Sequence, residues 1–180
     1  MPKHRIAIIG LGMAVRPHAQ SLIDLKDRVE VAYAFSPSEA RRAAFAANFS
    51  FPLADSLDKI LADKTVDCVE ILTPPNTHLD LVRKCAAAGK HILLEKPLEV
   101  STARAVALVD AAEQAGVTLG VMLQHRFRPA GMRLREMLRA DRSPANIIRQ
   151  ATQRTSLSMA PNPAPGARAS ARAKIGRAHV

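Results

Sequence analysis

The sequence predicts an α/β protein built on a doubly wound parallel sheet. From the N-terminus to about residue 140, short apolar runs of strand length alternate with amphipathic stretches of helical length. This alternation is typical of repeated strand-helix-strand units, in which the sheet is buried on both faces. The 180-residue chain is 48% hydrophobic, which is enough for one buried core.

Six strands are predicted from the apolar runs, and the third of them has the weakest pattern. Strand-helix-strand crossovers are almost always right-handed, which favours the sheet order 3-2-1-4-5-6. The predicted strands cover residues 5–10, 29–35, 51–53, 68–72, 91–95 and 118–123.

Five helices are predicted between these strands, because apolar residues recur there with helical spacing. Several begin after Ser, Thr or Asn, which cap helix N-termini, and two end at Gly89 and Gly116. The predicted helices cover residues 14–25, 38–47, 56–62, 77–88 and 101–116.

The composition changes after Asp141, which is the last acidic residue. Residues up to this point hold 19 Lys and Arg against 16 Asp and Glu, whereas residues 142–180 hold seven bases and no acid. The net charge of +10 therefore lies mostly in the tail. We expect one domain over residues 1–141 and an unstructured tail over 142–180. The last six residues resemble a translated sequencing-library adapter, so the tail is expected to be an artefact.

A natural basic tail that binds nucleic acid or a membrane surface is the alternative, but it would need aromatic or helical organisation that the sequence lacks. We therefore expect no nucleic-acid partner and no membrane partner. No apolar run approaches the length of a membrane span, and the N-terminus leads directly into a strand, which favours a soluble, cytoplasmic protein. Neither Cys68 nor Cys85 has metal-ligand neighbours at a useful spacing, so we expect reduced thiols and no metal site.

A glycine turn joins the first predicted strand to the first helix, with the sequence Gly10-Leu11-Gly12-Met13-Ala14-Val15. Gly10 permits the tight turn, and Gly12 lets the backbone approach a pyrophosphate. Free N–H groups at the helix start, around Met13 and Ala14, would meet the pyrophosphate charge. Val15 stands where a third glycine is usual, so the strand and helix are expected to pack less closely. A purely structural turn is the alternative.

The second predicted strand ends without the acid that usually holds the ribose hydroxyls of NAD. Instead, Ser36 and Ser38 are followed by Arg41 and Arg42, whose hydroxyl and guanidinium groups are of the kind that accept a 2′-phosphate. The sequence therefore favours NADP slightly over NAD as the cofactor. The alternative is that both arginines are solvated residues of a surface helix.

Two further segments follow later strands, at the sheet edge where ligands bind in open parallel sheets. They are the proline-rich corner Thr73-Pro74-Pro75-Asn76-Thr77-His78 and the turn Glu95-Lys96-Pro97. A structural role explains much of the corner, since its prolines fix an extended turn and its polar residues can cap the next helix. The Lys96-Pro97 bond is of a kind that can be cis, which would direct the lysine into the cleft. There Lys96 could exchange a proton with a substrate oxygen during hydride transfer, although a surface lysine is the alternative.

These motifs together resemble the Gfo/Idh/MocA family of oxidoreductases, and the resemblance extends over about residues 5–140. The glutamate-lysine-proline turn is its most specific element. The matching residues are Gly10-Leu11-Gly12 with His18, Thr73-Pro74-Pro75-Asn76-Thr77-His78, Glu95-Lys96-Pro97 and Gln124-His125-Arg126-Phe127-Arg128-Pro129.

The resemblance implies a Rossmann domain followed by a larger sheet domain that binds a sugar or polyol and forms oligomers. It implies that Lys96 is catalytic, that the segments Thr73 to His78 and Glu95 to Pro97 line the nicotinamide site, and that Arg126 stands near the cofactor. The second domain, with the aspartate and histidine that complete the family's catalytic set, is missing from this sequence. His18 and His125 do not replace them, and a packing role is expected for His18.

The predicted function is therefore that of an NAD(P)-dependent dehydrogenase acting on the CH–OH or C=O group of a sugar, polyol or related carbohydrate derivative. This chain would be its cofactor-binding fragment, binding the nucleotide more readily than it turns over substrate. The full-length parent is expected to be a homo-oligomer. The alternative is a non-catalytic dinucleotide-binding sensor or regulatory module, which fold alone does not exclude.

Overall fold

The structure is a computed structural model that describes residues 3–139. Residues 1–2 and 140–180 lie outside the described residues, and so do the predicted domain boundary at Asp141 and the predicted tail. The described residues up to Met122 form one compact unit, and those from Leu123 onward belong to a second.

Five parallel strands form a single sheet in the first unit. In chain order they are β1 (His4–Ile9), β2 (Val29–Phe35), β3 (Cys68–Ile71), β4 (His91–Glu95) and β5 (Leu119–Met122). Their spatial order is β2-β1-β3-β4-β5. The chain passes from β1 to β2 on one side and then returns to place β3 on the other side of β1, so β1 and β3 flank the point where the strand order reverses. This reversal creates the crevice in which open α/β sheets bind ligands.

The predicted third strand at residues 51–53 is the one strand prediction that needs correction. It contributes a single parallel bridge between Ala34 and Leu53 at the outer edge of β2. Ala34 donates to the carbonyl of Pro52 at 2.8 Å, and Ala54 donates to the carbonyl of Ala34 at 3.1 Å. Pro52 has no N–H, so the segment cannot extend a regular ladder. The order 3-2-1-4-5-6 therefore holds with its outermost strand reduced to one bridge.

The five predicted helices are present, with ends at most two residues inside the predicted limits. Ser38, Ser56 and Ser101 cap the second, third and fifth of them by accepting from backbone N–H groups. The helices are α1 (Val15–Asp24), α2 (Glu39–Ala46), α3 (Leu57–Ala62), α4 (His78–Ala87) and α5 (Thr102–Gln114).

Three further helical segments were not predicted. A 3-10 helix at Pro75–Thr77 forms the proline-rich corner before α4. In the second unit, a 3-10 helix at Gln124–Phe127 is followed by α6 (Pro129–Arg139). Pro129 occupies the first position of α6, where its missing N–H costs nothing, so proline here starts a helix.

The sheet is buried on both faces, as the alternation of apolar runs predicted. Successive side chains of a strand point to opposite faces, and Ala7 and Ile9 belong to one buried cluster while Ile8 belongs to the other. The first cluster includes Val82 of α4 and Leu108 of α5. The second cluster is completed by buried side chains of α1 and α2, namely Val15, Ala19, Leu22 and Phe45.

Both cysteines are free thiols. Burial raises the pKa of the Cys85 thiol to about 12 and that of Cys68 to about 11, so both are protonated near neutral pH. Over the described residues, no helix is both long enough and apolar enough to cross a membrane.

Candidate functional site

The glycine turn brings the end of β1 against the end of β3. Gly10 has a φ of 109°, and a Cβ built on it would lie 2.8 Å from the carbonyl carbon of Leu72. Only glycine fits this position, because both its backbone conformation and its surroundings exclude a side chain. Around Gly12 there is no atom within 4 Å of a built Cβ, so its backbone faces open space.

The helix that follows this turn begins without a side-chain cap. The N-cap residue is Ala14, whose side chain cannot accept from the first N–H groups of α1. The N–H of Val15 donates to the carbonyl of Gly12 at 3.2 Å, and the N–H groups of this turn without a side-chain cap are of the kind that bind an anion. Val15, at the third position of the glycine motif, is 5% exposed and packs in the core with Ile8 and Ala19. The valine is thus accommodated on the core side of the helix.

A cavity of about 650 Å³ lies along the carboxyl ends of β1, β2 and β3. Its size is in the range of small-molecule and cofactor sites. Eight of the residues predicted to bind the cofactor line it: Gly10, Gly12, Met13, Ala14, Ser36, Arg41, Thr73 and Pro74. Thr77 of the proline-rich corner also lines it, and so do Asp80 and Leu81, which were not among the predicted site residues. They lie at the start of α4, which follows the proline-rich corner directly, and that adjacency is the signal that points to them.

The segment after β2 has no carboxylate, as predicted, and its serine is held in place by local hydrogen bonds. Ser36 is 2% exposed and its Oγ accepts from the N–H of Ser38 at 3.3 Å. Arg42 donates from Nη1 to the carbonyl of Ser36 at 2.6 Å, so its guanidinium is held by the turn. Arg41 is exposed and lines the cavity. Of the two arginines, Arg41 is therefore the one placed to meet a ligand there.

His78 has a different place from the one predicted. Its side chain is completely buried, so it does not face the cavity. Its Nε2 lies 2.9 Å from the carbonyl oxygen of Thr73, and its Nδ1 lies 3.2 Å from the carbonyl oxygen of Leu98. These two oxygens belong to the proline-rich corner and to the turn after β4. His78 therefore ties the two predicted site segments together from inside.

The corner itself is further fixed by Thr77 and by an arginine of α5. The Oγ1 of Thr77 lies 2.7 Å from both the Oγ1 of Thr73 and the carbonyl oxygen of Pro74. Arg104 donates from Nη2 to the carbonyl of Asn76 at 3.1 Å. Pro75 and Asn76 are outside the set of residues that line the cavity, and Asn76 contributes through its backbone carbonyl.

The turn Glu95-Lys96-Pro97 follows β4, the neighbour of β3. The strand register pairs Ile71 with Leu94, so this turn and the proline-rich corner lie side by side at the carboxyl edge. Lys96 is exposed and its bond to Pro97 is cis. Like Glu95 and Pro97, it is not among the residues that line the cavity, which ends one strand away.

A buried histidine lies behind this edge, on the face of the sheet that α1 covers. His18 of α1 is 7% exposed, and its Nδ1 lies 2.7 Å from an oxygen of Glu70 in β3. The expectation that His18 packs is therefore incomplete, because its ring is also hydrogen-bonded to a buried acid. Glu70 was not singled out, although an acid inside the apolar strand Cys68–Ile71 is the signal for such a partner.

Arg126 lies in the 3-10 helix Gln124–Phe127 of the second unit, and its side chain is exposed. Its predicted approach to the cofactor stays a prediction.

Among the described residues, no cluster of three or more His, Cys, Asp or Glu side chains is arranged to hold a metal ion.

The sequence over the sheet matches a protein-family model. A family model described as "Oxidoreductase family, NAD-binding Rossmann fold" and labelled GFO_IDH_MocA matches residues 4–123. The chain belongs to the Gfo/Idh/MocA family. The matched range begins with β1 and ends just after β5, so it contains the whole five-stranded sheet. The resemblance inferred from the motifs and the doubly wound fold are both confirmed.

Relatives in this family use both nicotinamide cofactors. The chain is 39% identical over 113 residues to D-xylose 1-dehydrogenase (NADP(+)) 2 of Haloferax volcanii, covering 62% of this chain and 35% of the relative. It is 31% identical over 127 residues to scyllo-inositol 2-dehydrogenase (NAD(+)) of Bacillus subtilis, covering 70% of this chain and 37% of the relative.

Solved dehydrogenase structures superpose on the chain. One is the WlbA dehydrogenase from Bordetella pertussis in complex with NADH and UDP-GlcNAcA, with a TM-score of 0.73 and 25% identity. The match covers 78% of this chain and 43% of that one. The chain spans between 34% and 44% of the length of the curated relatives it matches. It therefore carries the family's NAD(P)-binding Rossmann domain.

Proposed function

We propose that the protein to which this domain belongs is an NAD(P)-dependent oxidoreductase. It transfers a hydride between the nicotinamide and the CH–OH or C=O group of a sugar, polyol or related carbohydrate derivative. The names of the xylose and inositol dehydrogenases support this substrate class. The observation that carries the proposal is an exposed lysine, Lys96, at the end of the strand beside the cavity.

The residues at the carboxyl edge fit a dinucleotide. Gly10 leaves no room for a side chain where β1 meets Leu72, and Gly12 presents bare backbone to open space. The uncapped N–H groups at the start of α1 would bind the pyrophosphate. Ser36 and Arg41, at the far end of the cavity, would hold the adenosine ribose. The bound cofactor supplies the hydride acceptor or donor.

Lys96 is proposed as the catalytic residue. Its ammonium group would donate a proton to the substrate oxygen when a ketone is reduced, and its neutral amine would take the proton when an alcohol is oxidised. Its neighbours Glu95 and Pro97, with Pro75, Asn76 and Arg126, are proposed to shape the nicotinamide end of the site. His78 would act there through the loop that it fixes.

We favour NADP slightly as the cofactor, because Arg41 lines the cavity where the carboxylate of NAD-specific domains is absent. A guanidinium in this position can bind a 2′-phosphate, whereas Ser36 can bind the ribose hydroxyls of either cofactor. We further propose a cytoplasmic protein whose substrate-binding and homo-oligomeric contacts belong to a second domain, with no nucleic-acid or membrane partner.

Replacing Lys96 with Met in the complete protein tests the proposed function. We expect kcat/KM for the best substrate of a sugar and polyol panel to fall by about 10²-fold to 10⁴-fold, as for loss of a general acid-base group. Cofactor affinity should stay within about two-fold, because Lys96 does not line the cavity. Lys64→Met is the matched control, since Lys64 is exposed in the turn before β3, at the opposite edge of the sheet. Unchanged turnover in Lys96→Met would remove Lys96 from catalysis.

A further inference from the structure

Three buried ionisable side chains from three elements meet beneath the Lys96 turn. The Nδ1 of His18 lies 2.7 Å from Oε1 of Glu70, and its Nε2 lies 3.4 Å from Oε1 of Glu95. The side chains of His18 and Glu70 are 7% and 5% exposed, and that of Glu95 is 11% exposed. Ionisable groups this deeply buried persist in proteins when they are paired with one another.

The geometry of the ring favours a charged histidine. Both ring nitrogens face carboxylate oxygens, and a neutral imidazole has only one N–H to donate. The hydrogen bond that His18 donates to Glu70 raises the pKa of His18 above its usual value of 6.5, and burial, which lowers it, has a smaller effect. The charged groups that face the ring are Glu70 from β3 and Glu95 from β4. Direct contact between the ring and Glu70 leaves no space for a metal ion between them.

The second carboxylate oxygens of Glu70 and Glu95 have different surroundings. Oε2 of Glu70 is buried and has no hydrogen-bond partner among the described residues, so His18 is the group that compensates this carboxylate. Oε2 of Glu95 accepts from the backbone N–H of Lys96. The Glu95 carboxylate therefore faces His18 with one oxygen and binds the Lys96 backbone with the other.

We propose that His18 is a positioning residue for Lys96, acting through Glu95. Glu70 holds the ring charged and oriented, the ring holds the Glu95 carboxylate in one rotamer, and that carboxylate fixes the backbone from which the Lys96 side chain extends. The inference rests on the proposed catalytic role of Lys96 for its consequence, but the network itself is independent of that role. It also connects α1, which starts at the glycine turn, to the turn after β4.

Nuclear magnetic resonance of the full 180-residue chain tests the network without any substrate. In the unmodified protein, the ring nitrogens of His18 should titrate above the usual histidine range, and the amide resonance of Lys96 should shift with the same midpoint. In Glu70→Gln, which keeps the shape of the side chain, both midpoints should fall together. His4→Gln, at an exposed histidine of β1, should leave the Lys96 amide unchanged. A Lys96 amide that stays constant through the titration of His18 would overturn the proposal.

The complete enzyme tests the consequence for catalysis. His18→Gln should lower kcat on the order of 10-fold to 100-fold with little change in KM, because a displaced lysine affects the reacting geometry more than binding. Glu70→Gln should move the pH profile of kcat toward lower pH, an effect that a purely structural role would not produce. A protein that binds cofactor but turns over no sugar or polyol contradicts the proposed function alone. A wild-type kcat and pH profile in both variants contradicts the positioning role alone.

Discussion

Glu99 and Arg104 form an ion pair at 2.8 Å between the segment that follows the Lys96 turn and helix α5. The Glu99 side chain has no exposed surface, and its carboxylate also accepts from the N–H of Leu79 at the start of α4. Arg104, on α5, reaches the carbonyl of Asn76 with the same nitrogen. The pair therefore joins the proline-rich corner to the segment that follows the Lys96 turn.

Replacing Glu99 with Gln should destabilise the domain by about 1 to 3 kcal/mol, because it removes the charge that Arg104 and the Leu79 N–H group share. Urea unfolding of the full chain measures the loss. Glu113→Gln is the matched control at an exposed position of α5, where the change should stay within about 0.5 kcal/mol. Equal stability of the two variants would contradict the structural importance of the pair.

The same pair should make stability depend on acid. The hydrogen bond from Arg104 lowers the pKa of Glu99 from 4.5 to about 2. A carboxylate with a lowered folded-state pKa stabilises the protein fully above its unfolded pKa, and this stabilisation disappears as the pH falls through about 2. The free energy of unfolding should therefore fall more steeply in wild type than in Glu99→Gln below about pH 4.5. A difference between the two proteins that is constant with pH would count against this assignment.

Two glycines of the same turn should respond differently to alanine. Gly10→Ala should cost more than about 2 kcal/mol, since its Cβ would contact the backbone of Leu72 at 2.8 Å and its φ is positive. Gly12→Ala should leave stability within about 1 kcal/mol, since no atom lies within 4 Å of its Cβ.

Cofactor titration separates an effect of Gly12→Ala on nucleotide binding from an effect on stability. The Gly12→Ala chain should be folded and yet bind the dinucleotide more weakly, because the methyl group occupies the space that the pyrophosphate would approach. Thermal unfolding and nucleotide titration of the same samples provide the measurement. If Gly12→Ala binds the nucleotide as wild type does, the glycine turn is structural only.

Arg41 should discriminate between the two nicotinamide cofactors. Arg41→Ala should weaken NADPH binding by roughly 10-fold to 100-fold, the value of one charge-assisted hydrogen bond, and leave NADH binding within about two-fold. Arg28→Ala is the charge-matched control, since Arg28 is exposed at the opposite edge of the sheet, before β2. Equal losses for NADPH and NADH in Arg41→Ala would contradict the preference for NADP.

The sequence predicted the strands and helices that are specified by neighbouring residues, through apolar runs and helix caps. Buried strands such as His91–Glu95 read as apolar runs, and serine caps marked the starts of α2, α3 and α5. The strand at residues 51–53 shrank to one bridge because Pro52 interrupts its hydrogen bonding. Helix α6 was not predicted, because Pro129 and Gly131 lie near its start and arginines interrupt its apolar pattern.

The roles of individual side chains depended on partners that are distant in sequence. His78 follows the corner in the chain and was predicted to face a ligand, yet its ring is enclosed between the carbonyls of Thr73 and Leu98. His18 was expected to pack, but its partners Glu70 and Glu95 come from two different strands. Only the folded sheet shows which of these polar groups meet, because strand pairing joins segments that no local pattern connects.

Titration of the full 180-residue chain with NADPH and NADH, followed by amide resonances, tests whether the carboxyl edge of the sheet binds the dinucleotide. We expect saturable binding, with the largest shifts at Gly10, Gly12, Thr73 and Lys96, which lie along one edge of the sheet. A folded sample that binds neither nucleotide would contradict a dinucleotide site at this edge. So would saturable binding whose shifts fall away from this edge.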